Sequence, residues 1–262
     1  MARNREATAQ IAPTAVGDAI FHGVAQVVRA AYSMLLSKSF EGVEHLRRDQ
    51  GFIVVANHVT ELDPLTVAYP VYLQGSIPRF LAKDSLFRVP GLGWLLRTTA
   101  QIPVARGSMD AKKSLETARA VIDSGGAVII YPEGTLTTDP DLWPMTGRVG
   151  AARLALATGA PVIPVAHWGD QEFLPPYAKK PNLLPRHRVQ VSVGQPLALD
   201  DLAPADRTVE PSHEVLVEAT ERMMSAITAL LEPLRKERAP EGRWDPRARR
   251  RVVRGNENEQ GL

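Results

Sequence analysis

The chain has 262 residues, 44% of them apolar and 23% charged, with a net charge of +2. Such a length suits one large α/β domain or two small ones, and the balance is ordinary for a folded soluble protein. No cysteine is present, which excludes disulfides and thiolate chemistry and fits a reducing compartment.

Residues 1 to about 12 are polar and read as a loose start. From Val16 to Leu35 the apolar residues Val16, Ile20, Val24, Val27, Val28, Ala31 and Leu35 recur at helical spacing. His22, Gln26, Arg29 and Ser33 mark the opposite face. A helix of this kind either lies in a membrane interface or packs its stripe on the protein's own core. Short apolar runs then alternate with helical patterns. Strands are expected at Phe52–Ala56, Arg79–Ala82, Gln101–Ala105, Ala127–Tyr131, Pro161–Ala166 and Arg188–Val193. Helices are expected at Leu65–Leu73, Ser108–Asp123 and Val149–Thr158, and Gly125 stops the second of these as a C-terminal glycine does. Pro175 to Pro185 reads as an irregular loop, and a last helix runs from about Pro211 to Leu234. Alternation of strand and helix implies an α/β fold: a single domain with a mixed, largely parallel sheet flanked by helices. The division expected is an N-terminal segment 1–38, an α/β domain 39–238 and a basic, disordered tail 239–262.

That tail carries the charge asymmetry. From Arg235 to Arg254 nine Lys/Arg stand against three acids. The segment either meets an anionic surface or is a solvated extension. Nucleic acid is not expected as a partner, because no aromatic-rich basic platform or zinc-finger spacing accompanies the charge. No run reaches the roughly 18 apolar residues of a spanning helix, and the N-terminus lacks a signal-peptide core and cleavage site. A membrane-spanning chain is therefore not expected.

Chemically able residues fall at the ends of these runs. His58 follows the Phe52 strand with Asp63 five residues on. Lys83 follows the Arg79 strand, Arg106 the Gln101 strand, and Glu133-Gly134-Thr135 the Ala127 strand. Open α/β sheets build their sites outside the carboxyl ends of their strands, so this convergence points to one site. An imidazole oriented by a carboxylate can act as a general base. The blander readings are a satisfied core histidine and an Asp63-Pro64 helix start. Glu133 reads as a second base, a buried ion-pair member or a turn residue. His167, at the end of another strand, reads as pocket lining, core or rim. The histidines show no H-x3-H or H-E-x2-H spacing, which argues against a zinc site, and no G-x-S-x-G elbow marks a serine hydrolase.

The ordered set Asn57-His58-x4-Asp63, Ala82-Lys83-Asp84-Ser85-Leu86-Phe87, Ile102-Pro103-Val104-Ala105-Arg106, Tyr131-Pro132-Glu133-Gly134-Thr135 and Val162-Ile163-Pro164-Val165 resembles the PlsC-type glycerolipid acyltransferases, the 1-acylglycerol-3-phosphate O-acyltransferase family. The resemblance covers about Gly51 to Gly169. It implies His58 and Asp63 as the catalytic pair, and Lys83, Arg106, Glu133, Gly134, Thr135 and Arg148 as substrate-binding residues. It also implies acyl transfer from acyl-CoA or acyl carrier protein to the lysophosphatidate hydroxyl, with no metal or cofactor. Peripheral association with the cytoplasmic face of a cell membrane follows from a bilayer-resident acceptor. One position departs: Leu136 stands where family members commonly carry an arginine that contacts acceptor phosphate. Either Arg106, Lys83 or Arg148 supplies that charge, or the acceptor differs, glycerol 3-phosphate or another lysolipid being the alternatives. A rival of another class is a non-catalytic peripheral membrane protein that keeps the fold, against which the intact His58–Asp63 pair argues.

Overall fold

The fold is taken from a computed structural model that describes residues 14–104, 108–178 and 180–253, with the backbone alone for 108–112. Its centre is a seven-stranded sheet in the order β1-β7-β6-β2-β5-β3-β4, built from β1 Ser37–Glu41, β2 Phe52–Ala56, β3 Pro78–Lys83, β4 Ile102–Val104, β5 Ala127–Ile130, β6 Val162–Trp168 and β7 Arg188–Val193. Every pairing is parallel except β6 with β7. The mixed, largely parallel sheet read from the sequence is therefore the one observed.

Among the described residues seven α-helices flank it: α1 Ala15–Leu35, α2 Asp63–Leu73, α3 Leu92–Thr98, α4 Ser108–Asp123, α5 Gly150–Thr158, α6 Asp170–Phe173 and α7 His213–Arg235. The two-residue period of the strands divides the core. Ile53, Val55, Val128, Ile130 and Val162 point to the layer that includes residues of α4, α5 and α7. Phe52, Val54, Ala127, Ile129, Ile163 and Val165 point to the layer under α1 and α2. β2, the central strand, is buried on both faces, which is why it reads as a continuous apolar run.

One expectation is corrected. The tail from 239 is not disordered over its described part, because Arg243–Asp245 (β8) and Arg250–Val252 (β9) pair as an antiparallel hairpin. Side chains fix it to the body: Arg243 binds Glu221, Thr228 and Ser225, while Arg251 binds Asp139 and Asp141. Arg235, the first residue of the expected basic patch, is enclosed instead between the rings of Trp143 and Trp168, 4.0 and 4.3 Å from their centroids. Arg254 lies outside the described residues.

Helix α1 takes one of its two expected placements. Its polar side runs along α2, where the exposed His22 meets the Tyr72 hydroxyl at 2.7 Å and the half-buried Ser33 meets that of Tyr69 at 3.1 Å. The apolar stripe faces outward, with Val16, Val27 and Met34 each 70–74% exposed. Arg79 ties the start of α1 down by pairing with Asp18 while donating to the Thr99 carbonyl. Gly17 sits so close to the Thr98 carbonyl that a Cβ there would lie 2.2 Å from its oxygen. The exposed stripe thus begins beside α3, whose Leu92 and Trp94 are also exposed.

Candidate active site

The chain leaves β2 at Ala56 and turns directly into the N-terminus of α2, so His58 stands at the carboxyl end of the central strand. Strands β2, β5, β3 and β4 are consecutive neighbours. Their ends therefore bring His58, the Tyr131–Thr135 turn and Lys83 to one edge. Arg106, expected beside them, lies outside the described residues.

His58 Nδ1 is 2.9 Å from Asp63 Oδ2. A carboxylate only accepts, so Nδ1 carries the hydrogen and Nε2 presents its lone pair. Asp63 is fully buried in the first turn of α2, and the same Oδ2 accepts the Val59 and Thr60 N–H groups at 2.6 and 3.0 Å. The carboxylate thereby closes the turn and aims the imidazole at once. The His58 side chain keeps 17% of its surface exposed, enough for a reactant to reach one ring edge. Its ring stacks on Tyr131, with centroids 4.1 Å apart and planes 15° from parallel.

Glu133 is not open to a substrate. Its two oxygens accept the backbone N–H groups of His58 and Met145, both at 3.0 Å. Burial pushes its carboxyl up to about 8, against the pull of those two donors. It works as a tie between the base and the 137–146 loop, which corrects its expected place among substrate-binding residues. A second tie runs from Thr137 N–H to the His58 carbonyl at 2.7 Å. Gly134 turns with φ +73°, a conformation that favours glycine, and Arg148 lies over it, its Nε 2.8 Å from where a Cβ would be. Gly134, Lys83 and Arg148 are exposed at the surface and Thr135 is half-buried, whereas Leu136 is buried.

Behind Asp63 lies a buried layer that the motifs did not reveal. Asn57 Nδ2 donates to the His167 carbonyl and its Oδ1 accepts the His167 N–H. His167 Nδ1 is 2.6 Å from Asp170 Oδ2, and Nε2 is 2.9 Å from the Asn57 carbonyl. Thr66 donates to Asp170 and meets the Tyr32 hydroxyl at 2.7 Å. The only sequence signal was a histidine at a strand end with an acid three residues on. Asp63, His167 and Asp170 bring ligand atoms within 4.8 Å of one another, a spacing compatible with a metal ion. His167 Nε2 and Asp63 Oδ2 already meet protein hydrogen-bond partners, while His167 Nδ1 and Asp170 Oδ2 meet only as a charge contact outside hydrogen-bond geometry, so this group reads as an ion-paired network.

The acyltransferase family profile matches residues 38–168, half of the chain and the part that carries the whole edge just described. The chain belongs to the acyltransferase family. The PlsC-type resemblance of the motifs agrees with the individual relatives. A chloroplastic 1-acyl-sn-glycerol-3-phosphate acyltransferase of Brassica napus is 27% identical over 60% of this chain and 44% of its own. One from Borreliella burgdorferi is 30% identical over 50% of this chain and 51% of its own. A lyso-ornithine lipid O-acyltransferase of Pseudomonas aeruginosa is 32% identical over 45% of this chain and 43% of its own. The chain spans about half the length of the curated relatives it matches. Among solved structures, the 1-acyl-sn-glycerophosphate acyltransferase PlsC of Thermotoga maritima superposes with a TM-score of 0.61 at 24% identity, over 86% of this chain and 83% of that one. That likeness is one of fold.

Proposed function

We propose that the protein transfers a fatty acyl group from acyl-CoA or acyl carrier protein to the hydroxyl of 1-acylglycerol-3-phosphate, forming phosphatidate. The observation that carries this reading is His58, aimed by a buried Asp63 at the open edge of the sheet. His58 Nε2 takes the hydroxyl proton as the oxygen attacks the thioester carbonyl. The tetrahedral species collapses, the carbon–sulfur bond breaks, and the imidazolium returns its proton to the leaving thiolate. Asp63 lies opposite the charge that forms on the ring. No covalent acyl-enzyme, metal or cofactor is needed.

Lys83 and Arg148 are the cations proposed for the acceptor phosphate, with Arg106 a third by its motif. Arg148 lies against the same turn that bears Leu136, so it supplies charge where the family arginine is missing. A second reading follows from that leucine. A buried apolar side chain at the position and a relative named for a lyso-ornithine lipid together favour a lysolipid acceptor other than lysophosphatidate. Acyl transfer measured as free thiol release, with a panel of acceptors and one acyl-CoA, separates the two. Preference for lysophosphatidate supports the first, and preference for an acceptor without phosphate supports the second. His58→Ala is expected to abolish turnover in either case.

The enzyme is proposed to sit peripherally on the cytoplasmic face of the cell membrane, where its acceptor resides. The support is the outward apolar stripe of α1 beside Leu92 and Trp94. Among the described residues no helix is long and apolar enough to cross a membrane.

A further inference from the structure

Acyl transfer as proposed uses His58 and Asp63, yet two further titratable groups lie wholly buried behind them. His167 and Asp170 are both 0% exposed, and their side chains meet at 2.6 Å. A buried pair this close is costly unless it performs something, because both ions lose their hydration. We propose that His167 and Asp170 are a positioning pair for the reaction, holding the His58 backbone and Asp63 in place through their buried ion pair. The proposal rests on the acyl-transfer reading and adds a pair that the motifs do not include.

Geometry supplies the argument. His167 Nε2–H donates to the Asn57 carbonyl at 2.9 Å, which fixes the peptide immediately before His58. The same nitrogen lies 3.7 Å from Asp63 Oδ2, the oxygen that aims the catalytic imidazole. With Nε2 bearing its hydrogen, Nδ1 lies 2.6 Å from Asp170 Oδ2 outside hydrogen-bond geometry, and a proton on Nδ1 makes that approach attractive as an ion pair. Remove it and a lone pair meets a carboxylate; the ring then swings away from Asn57, and the peptide bearing His58 is freed.

The surroundings retain that proton. Asp63 and Thr66 face the ring region from α2, Asp170 from α6, Tyr131 and Glu133 from the turn after β5, and Tyr32 from α1. Burial alone would lower the His167 pKa, but Asp63, Asp170 and the Asn57 carbonyl outweigh it and push the group up to about 9. Glu133, pushed up to about 8, titrates in the same range and must be separated from it.

The test uses the full chain, lysophosphatidate and an acyl-CoA between pH 6 and 9. Asp170→Asn keeps the shape and removes the countercharge, which lowers the pKa of a neighbouring imidazolium by about 1–3 units. With turnover following the protonated fraction, its kcat at pH 8 should fall by about 2- to 90-fold, with both KM values within about twofold. Its rate relative to wild type should climb back as the pH falls to 6 and His167 protonates again. A merely structural defect gives a pH-independent ratio, and that result would overturn the proposal. Repeating the comparison in a Glu133→Gln background removes the overlapping titration. Nitrogen NMR of histidine-labelled wild type needs no substitution: His167 should be doubly protonated at pH 7 and titrate near 9. A neutral ring at pH 7, with no proton on Asp170 to replace it, overturns the proposal. Wild type without acyl transfer to any acceptor refutes the underlying reading, and is seen before any variant is compared. An active wild type, an inactive His58→Ala and an unimpaired His167→Gln refute the positioning pair alone.

Discussion

Asp63→Asn separates charge from architecture at this site. In the native protein one oxygen, Oδ2, accepts from His58 Nδ1, Val59 N and Thr60 N at 2.9, 2.6 and 3.0 Å. An asparagine oxygen placed there can accept the same three donors, so the turn and the ring tautomer survive. The negative charge does not. Across a separation near 4 Å, at an effective dielectric constant near 20, it is worth about 4 kcal/mol to the imidazolium that forms on His58. At about 1.4 kcal/mol per decade that is close to a thousandfold in kcat, inside the about 10²–10⁴ range of general-base help. Asp63→Ala removes the acceptor as well, leaving two buried backbone N–H groups unpaired at about 1–3 kcal/mol each. Thiol-release kinetics alongside thermal melts should show Asn inactive at near-native stability and Ala both inactive and destabilised. An Asn variant within about threefold of wild-type kcat would refute the role given to the Asp63 charge.

Other expectations follow from the same contacts. Glu133 and His167 both hold protons in the folded state that the unfolded chain releases sooner, so unfolding releases protons over this range and stability should fall with rising pH. The Glu133 part is present below its ordinary value of 4.5 and lost through about 8; the His167 part is present below 6.5 and lost through about 9. Melting temperature should decline from pH 5 to 9, and Glu133→Gln should flatten the lower part of that decline. Arg148→Ala and Lys83→Ala should raise KM for a phosphate-bearing acceptor more than for the acyl donor, and Leu136→Arg should lower it if lysophosphatidate is the acceptor. Val27→Asp, on the outward stripe of α1, should reduce flotation with anionic liposomes while leaving the melting temperature unchanged. Equal recovery of variant and wild type would remove α1 as the anchor.

The sequence made the centre of the sheet legible because β2 and β5 are uninterrupted apolar runs buried on both faces and β6 is one as far as His167. The edge was not: β1, Ser-Lys-Ser-Phe-Glu, is exposed at both ends and half-buried between them, and Phe40 is its one apolar residue. Tail composition misled for a related reason. Pro, Gly and Arg in residues 239–253 read as disorder, yet the arginines find partners on Glu221, Asp139 and Asp141, which no local pattern could disclose. At the site, His58 and Asp63 were visible because they are five residues apart. Asn57, His167 and Asp170 form a contact across 110 residues of chain, and Glu133 was misjudged because its partners are backbone atoms rather than side chains. For α1 the period located the helix and left its orientation open, since helical spacing does not say which side meets the body.

The pairing of β1 with β7 sets an order of events during synthesis. Ser37 lies beside Arg188, so about 150 residues must be made before the first strand has its neighbour. Closing so long a loop is slow, and contacts of this separation form late. The nascent chain therefore presents α1, apolar stripe included, well before the sheet edge that will hold it exists. A bilayer close to the site of translation would meet that helix first, and the catalytic half of the molecule would then assemble against a segment already at the lipid surface.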